Sequence, residues 1–553
     1  MRAPLLGLIF LSLCGSGCGS NDDSTTGGGG QGGTGGGQGG EGGGSGGGGS
    51  GGGCATSVTP EPGTVITQAG AVMGGKVGAT WAFKGIPYAA PPVGDLRWRQ
   101  PQPHACWEGA RPATEFGSIC LQTSADGAAV GSEDCLFANV WAPEDATADS
   151  PVPVLLFIHG GGNVQGSSSN TVGDVVLFDG QALSERGRAI VVTINYRLGP
   201  MGWLAHPAFA EGEAGTSGNY AALDQVFALR WVKENIAAFG GDPSRVLVFG
   251  ESAGAVNTCL MLTTPLAKGL FSSALMQSGG CAAQAQETAA AFASEWATMA
   301  GCEGDADPAA CMRALPAEEV QLLVSPPVEV AGKQGPYQPV VDGYLLPAAP
   351  MDMLEAGDHN HVPFVVGANE NETAQAVKDM TEAEYEAAVA LLFGDLADEV
   401  LAEYPVSEYP TPRDAYVAIT SDVKFICGAR RIAQLASASQ PEPVFRYHFT
   451  HVLDNVGPMG KKNGAFHGLE LFFVFDHLTV AGYQASAGEK DLAAAIGGYW
   501  SRLGATGDPN GEGAVAWPAY DAATDPYLRL DTTITADQGV HTDKCDFWDS
   551  LFP

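Results

Sequence analysis

The residues with the clearest capacity for chemistry stand in one short segment, Gly250-Glu251-Ser252-Ala253-Gly254. A serine hydroxyl at its free pKa is a weak nucleophile, so it needs a base beside it and an exposed position for its Oγ. The pattern Gly-x-Ser-x-Gly provides that position on a sharp turn between a strand and a helix, where two glycines leave room for the chain to reverse. The segment predicts a nucleophilic serine if the neighbouring sequence supplies the strand, the helix and the other catalytic groups.

The sequence on either side of this segment has the patterns of a strand and a helix. Residues 246–249 form an apolar run typical of a buried strand, and residues 255–262 have the apolar periodicity of a helix. Ser252 is therefore predicted at a helix N-terminus, where backbone N–H groups can meet a negatively charged oxygen.

A second glycine-rich segment, His159-Gly160-Gly161-Gly162-Asn163, follows the apolar run 154–158. Such a run before a glycine loop is typical of a buried parallel strand. Consecutive glycines free backbone N–H groups to point at one spot, so we predict an oxyanion hole formed by the N–H groups of Gly161, Gly162 and Ala253. The alternatives are a flexible loop and a phosphate-cradling turn, and the second is disfavoured because no lysine follows as it does in a P-loop.

An acid and a base are expected further along the chain, in that order. The apolar run 362–366 ends in a loop that carries two carboxylates, Glu370 and Glu372. A later strand pattern, residues 445–449, is followed by His467. This histidine stands in a loop before a helical segment, a position that suits a ring reaching across to the serine, and it is the predicted base.

The other histidines are interpreted as structural. His448 and His451 lie within or at the end of the strand pattern, where a histidine is more often packed or solvated than catalytic. The segment His359-Asn360-His361 is predicted to be a polar turn rather than a metal site, and the sequence has no Cys-x-x-Cys or Cys/His set with zinc spacing. We therefore predict no metal site and no cofactor.

The N-terminal part of the chain has the composition of a leader and a tether. Residues 1–18 contain a short apolar run, too short to cross a bilayer, and predict a signal peptide of the bacterial lipoprotein type. Residues 19–53 are mostly glycine and predict a flexible tether, with the folded domain over residues 54–553. We expect Cys18 to be lipidated in an outer-membrane lipoprotein, with plain secretion as the alternative.

The net charge of −35 restricts the partners of this protein. A polyanion is repelled by nucleic acids and by anionic lipids. We therefore expect no nucleic-acid partner, a small-molecule substrate, and membrane attachment only through Cys18. The sequence indicates no particular oligomeric state.

Two longer stretches, residues 239–254 and residues 133–141, are specific enough to compare with a known family. The first resembles in full the serine signature of the type-B carboxylesterases and cholinesterases, which are α/β-hydrolases. The second resembles their second signature, with departures at Phe137 and Ala138 that we interpret as packing variation. The resemblance extends from about residue 65 to the end of the chain. Further similar stretches are residues 83–89, 195–199, 218–220, 224–225 and 506–509.

The resemblance implies an α/β fold of the α/β-hydrolase type, with a large, mostly parallel central sheet flanked by helices in a single elaborated catalytic domain. It also implies Ser252 as nucleophile, Glu372 as acid and His467 as base, because residues 367–372 fit the family pattern Gly-x-Asn-x-x-Glu. Glu370 is the alternative acid.

Three residues beside these groups need a separate interpretation. Glu251, just before the serine, is expected to be a buried structural carboxylate rather than an acid catalyst. Thr373 follows the acid where the family usually has glycine or alanine, which is a small departure. Asn163 replaces the aromatic residue that often follows the three glycines, and this replacement predicts a wider mouth of the pocket.

Twelve cysteines occur in the chain, and two of them lie in the leader. The other ten are an even number in an exported protein, so pairing is the expected state. The resemblance supplies three pairs and two more follow by elimination, with a buried free thiol at Cys259 as the alternative. The resemblance pairs Cys120 with Cys135, Cys302 with Cys311 and Cys427 with Cys545, and elimination pairs Cys259 with Cys281 and Cys54 with Cys106.

The resemblance and these residues together predict a serine carboxylic-ester hydrolase for small to medium esters, acting through an acyl-enzyme. A lipase for long-chain esters is the nearest alternative, with the segment between Cys120 and Cys135 as a lid, and amide or polyester hydrolysis stays open. A cholinesterase is disfavoured because that segment has no tryptophan to bind a quaternary ammonium group. A non-catalytic binding protein is disfavoured because every catalytic group is intact. The expected pocket walls include Trp203, Phe271 and Phe473.

Overall fold

The computed structural model describes residues 54, 58–59, 61–210 and 215–552. The predicted signal peptide, the glycine-rich tether and Cys18 lie outside these described residues. None of the described helices combines the length and the apolar character that a membrane crossing requires.

The described strands are short at the periphery and longer at the centre. They are β1 (Thr64–Ile66), β2 (Ala71–Met73), β3 (Gly75–Val77), β4 (Thr80–Pro87), β5 (Ala110–Pro112), β6 (Gln122–Thr123), β7 (Ala129–Val130), β8 (Phe137–Pro143), β9 (Val152–Ile158), β10 (Thr171–Val172), β11 (Val175–Val176), β12 (Ile190–Ile194), β13 (Gly241–Glu251), β14 (Ser273–Gln277), β15 (Gln284–Ala285), β16 (Val340–Val341), β17 (Phe364–Asn369), β18 (Val444–Phe449), β19 (Pro526–Leu530) and β20 (Thr535–Gln538).

The described helices fill the connections between these strands. They are α1 (Gln181–Gly187), α2 (Gly199–Trp203), α3 (Tyr220–Asn235), α4 (Ala253–Thr263), α5 (Gln286–Met299), α6 (Pro308–Ala314), α7 (Ala317–Leu323), α8 (Pro350–Ala356), α9 (Glu382–Phe393), α10 (Ala397–Glu403), α11 (Pro412–Ser421), α12 (Cys427–Ser439), α13 (Pro458–Asn463), α14 (Leu471–Val474), α15 (Ala487–Thr506) and α16 (Thr542–Leu551). A π-helical turn, Asp422–Ile426, joins α11 to α12.

Eleven strands form the central sheet, in the order β20-β19-β18-β17-β14-β13-β9-β12-β8-β4-β3. The pairs from β12 to β19 along this order are parallel, whereas β8, β4 and β3 at one edge and β20 at the other are antiparallel. Parallel strands need crossover connections, and the helices provide them. The predicted α/β-hydrolase architecture with a mostly parallel sheet in one domain is confirmed.

The central strands read as continuous apolar runs because both of their faces are buried. In β9, Val154, Leu156 and Ile158 belong to the core on one side of the sheet. Leu155 and Phe157, which point the other way, belong to the core on the opposite side. Helix α4 packs on the first side against β13 and β14, and α15 covers β9 and β13 on the second. The site elements are therefore held between two apolar layers.

Five disulfides join the described cysteines, and they are the five pairs expected from the sequence. Cys427, at the start of α12, bonds to Cys545 in α16 and attaches the C-terminal helix to the body of the domain. Cys259 in α4 is paired, so the alternative of a free thiol at this position is wrong. The bonds are Cys54–Cys106, Cys120–Cys135, Cys259–Cys281, Cys302–Cys311 and Cys427–Cys545.

The elements predicted around the site are found with small shifts of their ends. The run 246–249 lies within β13, which begins earlier, and the helical pattern 255–262 lies within α4. The run 362–366 is displaced, because β17 begins at Phe364 and continues to Asn369. The three extra residues at its end, Gly367, Ala368 and Asn369, are polar or small and carry little apolar signal.

Candidate active site

The turn between β13 and α4 places Ser252 at its apex with φ +58° and ψ −123°, a conformation that residues other than glycine seldom adopt. Two glycines allow this turn: a Cβ at Gly250 would overlap the carbonyl oxygen of Gly254, and a Cβ at Gly254 would overlap that of Ile158. The N–H of Ser252 donates to the carbonyl oxygen of Gln277 at 2.9 Å, which fixes the turn to β14. The structure therefore has the strand, sharp turn and helix that the sequence predicts.

His467 lies in the loop between α13 and α14, directly beside Glu372. Its Nδ1 is 2.6 Å from Oε2 of Glu372, and its backbone N–H donates to the carbonyl oxygen of the same residue at 3.1 Å. The other carboxylate oxygen, Oε1, accepts the N–H of Asn369 at 2.7 Å. The buried carboxylate is thus fixed on both sides, and the ring that it orients lines the same two cavities as Ser252.

Glu251 lies on the other side of the imidazole, with Oε1 3.2 Å from Nε2 of His467. Burial lowers the pKa of His467, but the charges of Glu251 and Glu372 outweigh this effect and raise the pKa to about 9. Burial raises the pKa of Glu251 to about 7. The charge of His467 opposes this rise, and the charge of Glu372 adds to it. The expected buried carboxylate is present, and it is also a charge that acts on the histidine.

A third buried carboxylate, Glu470, was missed by the sequence analysis. Its Oε1 accepts a hydrogen bond from Nε2 of Gln277 at 3.1 Å, and its Oε2 accepts one from Nδ2 of Asn369. Burial and the neighbouring carboxylates raise the pKa of Glu470 to about 8. Asn369 therefore links Glu470 to Glu372 through its side chain and its backbone. The position of Glu470 three residues after His467 was the only signal in the sequence.

The glycine loop after β9 lies directly beside the serine, since a Cβ added at Gly160 would be 2.9 Å from Cβ of Ser252. Gly161 has φ +104° and Gly162 has φ +63°, and each lines one of the two cavities. Within the described part of the chain, the N–H groups of Gly161, Gly162 and Ala253 donate no hydrogen bond to other backbone groups. The loop is supported by His159, whose ring stacks on Tyr196 with centroids 4.4 Å apart. Burial lowers the pKa of His159 to about 4, so its ring is uncharged at neutral pH.

Two cavities meet at Ser252 and His467, with volumes of about 310 Å³ and about 180 Å³. The larger one is bounded by the glycine loop, by residues 326–330 and by the π-helical turn. Phe425 of that turn has its ring centroid 5.0 Å from that of His467. The smaller cavity is bounded in part by Gln122, Thr123, Ser124 and Val130, which belong to the loop closed by Cys120 and Cys135.

The expectation that Trp203, Phe271 and Phe473 form the pocket walls is wrong. All three are buried in the apolar core and lie outside the lining of both cavities. Large aromatic side chains gain most from full burial. The walls come instead from loops without apolar periodicity, which the sequence does not mark. Asn163 does line the larger cavity, and its Oδ1 accepts Nδ2 of Asn257 at 3.0 Å.

The remaining candidate residues lie away from this site. Glu370 contacts His448 at 2.6 Å and does not contact the predicted base, so the geometry favours Glu372 over Glu370 as the acid. His451 lies between two other carboxylates. His359 and His361 have ring centroids 4.8 Å apart and each bonds to a separate oxygen, as in a polar turn. Thr373 is buried and bonds towards α11 through Oγ1.

The fold, with a serine on the turn after β13, a glutamate in the loop after β17 and a histidine in the loop before α14, has the geometry of the α/β-hydrolase class. Comparison with sequence families is consistent with this geometry, since the profile of the carboxylesterase family matches residues 61–548. The chain therefore belongs to the carboxylesterase family, and it is an enzyme of the ester-hydrolase class.

Individual relatives cover most of the chain. The para-nitrobenzyl esterase of Bacillus subtilis (strain 168) is 35% identical over 505 residues, which are 88% of this chain and 98% of the relative. The fumonisin B1 esterase of Sphingopyxis macrogoltabida is 36% identical over 474 residues, covering 82% of this chain and 84% of the relative. Among solved structures, a PNB esterase superposes with a TM-score of 0.75 at 34% identity, over 88% of this chain and 99% of its own.

Proposed function

We propose that this protein hydrolyses small to medium carboxylic esters with Ser252 as nucleophile, His467 as general base and Glu372 as the orienting acid. The observation that carries the proposal is the position of His467, held by Glu372 at 2.6 Å and facing the cavities that Ser252 also lines. A carboxylate in this place keeps the imidazole in one tautomer and stabilises the imidazolium.

The reaction proceeds in two halves. Nε2 of His467 takes the proton of Ser252 as Oγ forms a bond to the ester carbonyl carbon, and the protonated ring then gives that proton to the leaving alcohol oxygen as the C–O bond breaks. Water repeats these steps on the acyl-enzyme and releases the acid. In the free enzyme Nε2 faces Glu251 at 3.2 Å, and we expect it to turn to Ser252 when substrate binds, because catalytic hydrogen bonds often tighten only in the complex.

The negative oxygen of the intermediate is assigned to the N–H groups of Gly161, Gly162 and Ala253. Their freedom from backbone hydrogen bonds in the described structure supports this assignment. The N-terminus of α4 adds a favourable dipole at the same place. Each such donor typically contributes about 3 to 4 kcal/mol to the stabilisation of the transition state.

The size of the cavities supports small to medium substrates. Binding sites for small molecules commonly have volumes of about 300 to 1,000 Å³. The larger cavity, of about 310 Å³, lies at the lower end of that range, and the smaller one, of about 180 Å³, suits a second and shorter group. Two cavities that share Ser252 match the two parts of an ester, the acyl group and the alcohol.

The test is hydrolysis of p-nitrophenyl esters of increasing acyl length by the purified protein and by Ser252→Ala. We expect an optimum at short to medium chains and loss of at least about 10³-fold in kcat for the variant. Ser273→Ala is the matched control, because Ser273 is buried in β14 and lines neither cavity. An optimum at long chains would favour a lipase with the Cys120–Cys135 loop as its lid. Full activity of Ser252→Ala would refute the proposal.

We also propose that the enzyme acts outside the cytoplasm as a lipoprotein attached through Cys18. The five disulfides support an oxidising compartment. Replacement of Cys18 by serine is then expected to move the protein from the membrane fraction to the soluble fraction. Retention of the variant in the membrane fraction would contradict the anchor.

A further inference from the structure

A second group of histidines and carboxylates lies next to the loop that carries Glu372. Glu370 follows β17, His448 belongs to β18 and His541 precedes α16. Oε2 of Glu370 is 2.6 Å from Nε2 of His448 and 3.5 Å from Nε2 of His541. One oxygen and two nitrogens, contributed by three separate elements, therefore point at one spot, and all lie within 4.8 Å of one another.

The orientation of His541 is fixed from behind. Its Nδ1 is 2.6 Å from Oδ1 of Asp422, and the other oxygen of that buried carboxylate accepts the hydroxyl of Tyr404 at 2.9 Å. A histidine that ligates a metal almost always donates its second ring N–H to a carboxylate, a carbonyl or a water. The pair of Asp422 and His541 has this arrangement, with Nε2 left facing Glu370.

The group is buried on one side and open on the other. The side chain of His448 is 5% exposed, whereas those of Glu370 and His541 are 37% and 31% exposed. An ion can therefore reach the group from the side of Glu370 and His541, and a water molecule would complete the set as a fourth ligand. Two imidazoles, one carboxylate and one water form a four-coordinate set that suits Zn²⁺.

We propose that Glu370, His448 and His541 bind one divalent metal ion of the zinc class, with Asp422 as the residue that orients His541. Glu370 supplies a carboxylate oxygen to the group, and the carboxylate of Asp422 faces Nδ1 of His541. This site is additional to the proposed ester hydrolysis and revises the sequence-based expectation that the chain has no metal site.

A second group of histidine and carboxylates differs from this one because its buried carboxylate already accepts several hydrogen bonds. His451, Asp454 and Glu489 also lie close together, but Oε1 of Glu489 already accepts the N–H of Asp454 and the hydroxyl of Tyr483. Its other oxygen caps α15 through the N–H of Ser486. Within the described part of the chain, the hydrogen bonds and ion pairs of the Glu370 side chain go only to the two imidazoles, so its oxygens retain the capacity to ligate an ion.

The position of the site indicates a stabilising role. His541 belongs to the segment that Cys545 of α16 ties to α12, and Glu370 stands two residues before Glu372. An ion held by both would join the C-terminal helix to the loop that presents the proposed catalytic acid. Glu370, His448 and His541 line neither cavity, so the ion is placed outside the reaction itself.

The test uses the full chain without a polyhistidine tag, stripped with a chelator and titrated with ZnCl₂ by calorimetry and by thermal unfolding. We expect one zinc ion per chain and a rise of the melting temperature on binding. Co²⁺ in the same site is expected to give the strong visible absorption of a four-coordinate ion. Ser252→Ala is expected to bind zinc like the wild type, so failure of the ester-hydrolase proposal and failure of the metal proposal are distinguishable.

Two variants test the ligands, and a third tests the residue that orients His541. Glu370→Gln and His541→Gln, both at partly exposed positions, are expected to abolish the zinc-induced rise of the melting temperature, and Asp422→Asn is expected to weaken zinc binding by about 10- to 100-fold. His104→Gln, at a partly exposed histidine elsewhere, is the control. The melting temperature of each metal-free variant is measured first, so that a change in folding is separated from a loss of binding. Absence of stoichiometric binding, or binding that survives both ligand variants, would overturn the proposal and leave the group as an ion-paired cluster.

Discussion

His467 is the residue through which we expect pH to control activity. As the proposed general base it must be neutral, and although burial lowers its pKa, Glu251 and Glu372 raise it to about 9. We therefore expect kcat/KM to rise with pH between 6.5 and about 9. In Glu251→Gln one of the two charges is removed, so the rise is expected to move to lower pH by at least about 1 unit.

The comparison needs a matched acidic residue away from the site. Glu318, exposed on α7, serves as the control, and Glu318→Gln is expected to keep the wild-type profile. A pH profile of kcat/KM that is the same in Glu251→Gln and in wild type would show that Glu251 does not act on the base.

Single residues near the proposed nucleophile were the most predictable part of this protein. Ser252, its two glycines and the glycine loop follow from local patterns with a steric reason, and the structure has the turn that they predict. The choice between Glu370 and Glu372 as the acid could not be made from local patterns. Both stand in one loop, and only the positions of distant histidines separate them, with His467 beside Glu372 and His448 beside Glu370.

At the scale of elements, the close contact between α4 and β9 depends on Gly254. A Cβ there would overlap the carbonyl oxygen of Ile158, a backbone atom of a buried central strand that cannot move aside. We expect Gly254→Ala to lower the free energy of unfolding by about 3 kcal/mol, the upper end of the usual cost of overpacking, measured by urea unfolding. Gly428→Ala, at a helical glycine whose added Cβ meets nothing within 4 Å, is expected to be neutral or to stabilise by up to about 1 kcal/mol. Equal effects of the two substitutions would contradict this contact.

The π-helical turn positions a wall of the larger cavity through Lys424. Its Nζ donates to the carbonyl oxygens of Glu329, Val330 and Gly332, and burial lowers its pKa to about 8. Lys424→Met leaves these carbonyls without their donor, so we expect steady-state kinetics to show a KM raised by about 10-fold, equivalent to about 1.4 kcal/mol, with kcat little changed. Lys490→Met, at an exposed position on α15, is the control. A fall in kcat with an unchanged KM would contradict a role in shaping the cavity.

The long apolar strands could be predicted because burial on both faces leaves a continuous signal, as in β9 and β13. The two-residue strands β6 and β7 are too short for any periodicity. The π-helical turn, Asp422–Ile426, has no sequence signal of its own between two helices, although it supplies one side of the larger cavity.

At the scale of the whole molecule, the buried charges of the site are expected to make stability depend on pH. Burial raises the pKa of Glu251 to about 7. Burial lowers the pKa of His467, but the nearby carboxylates outweigh this effect and raise it to about 9. A group whose pKa is raised by folding stabilises the folded state fully at pH values below its unfolded pKa, here 4.5 for Glu251 and 6.5 for His467. This contribution is lost as the pH rises through the pKa of the folded state. The free energy of unfolding is therefore expected to fall towards pH 9, by at most about 1.4 kcal/mol per unit of pKa shift.

Glu251→Gln removes one of these groups and lowers the pKa of the other. Urea unfolding at a series of pH values is expected to show a flatter profile for this variant than for wild type, with Glu318→Gln unchanged. A variant with the same or a steeper loss of stability at alkaline pH would show that other groups determine it.

The features that belong to the whole molecule were the least predictable from the sequence. Trp203, Phe271 and Phe473 were expected at the pocket and lie in the core, because large apolar side chains are better buried than exposed to a cavity. The proposed metal ligands are separated along the chain and meet only through the order of β17 and β18 and the return of the C-terminal helix. No local spacing could have indicated them.

The most direct measurement is the mass of the enzyme after reaction with a fluorophosphonate, followed by mapping of the labelled peptide. We predict one adduct per chain, on the peptide that contains Ser252, formed more slowly when His467 is replaced by alanine and absent in Ser252→Ala. An adduct on another residue, or an active enzyme that forms no adduct, would contradict Ser252 as the nucleophile of an acyl-enzyme mechanism.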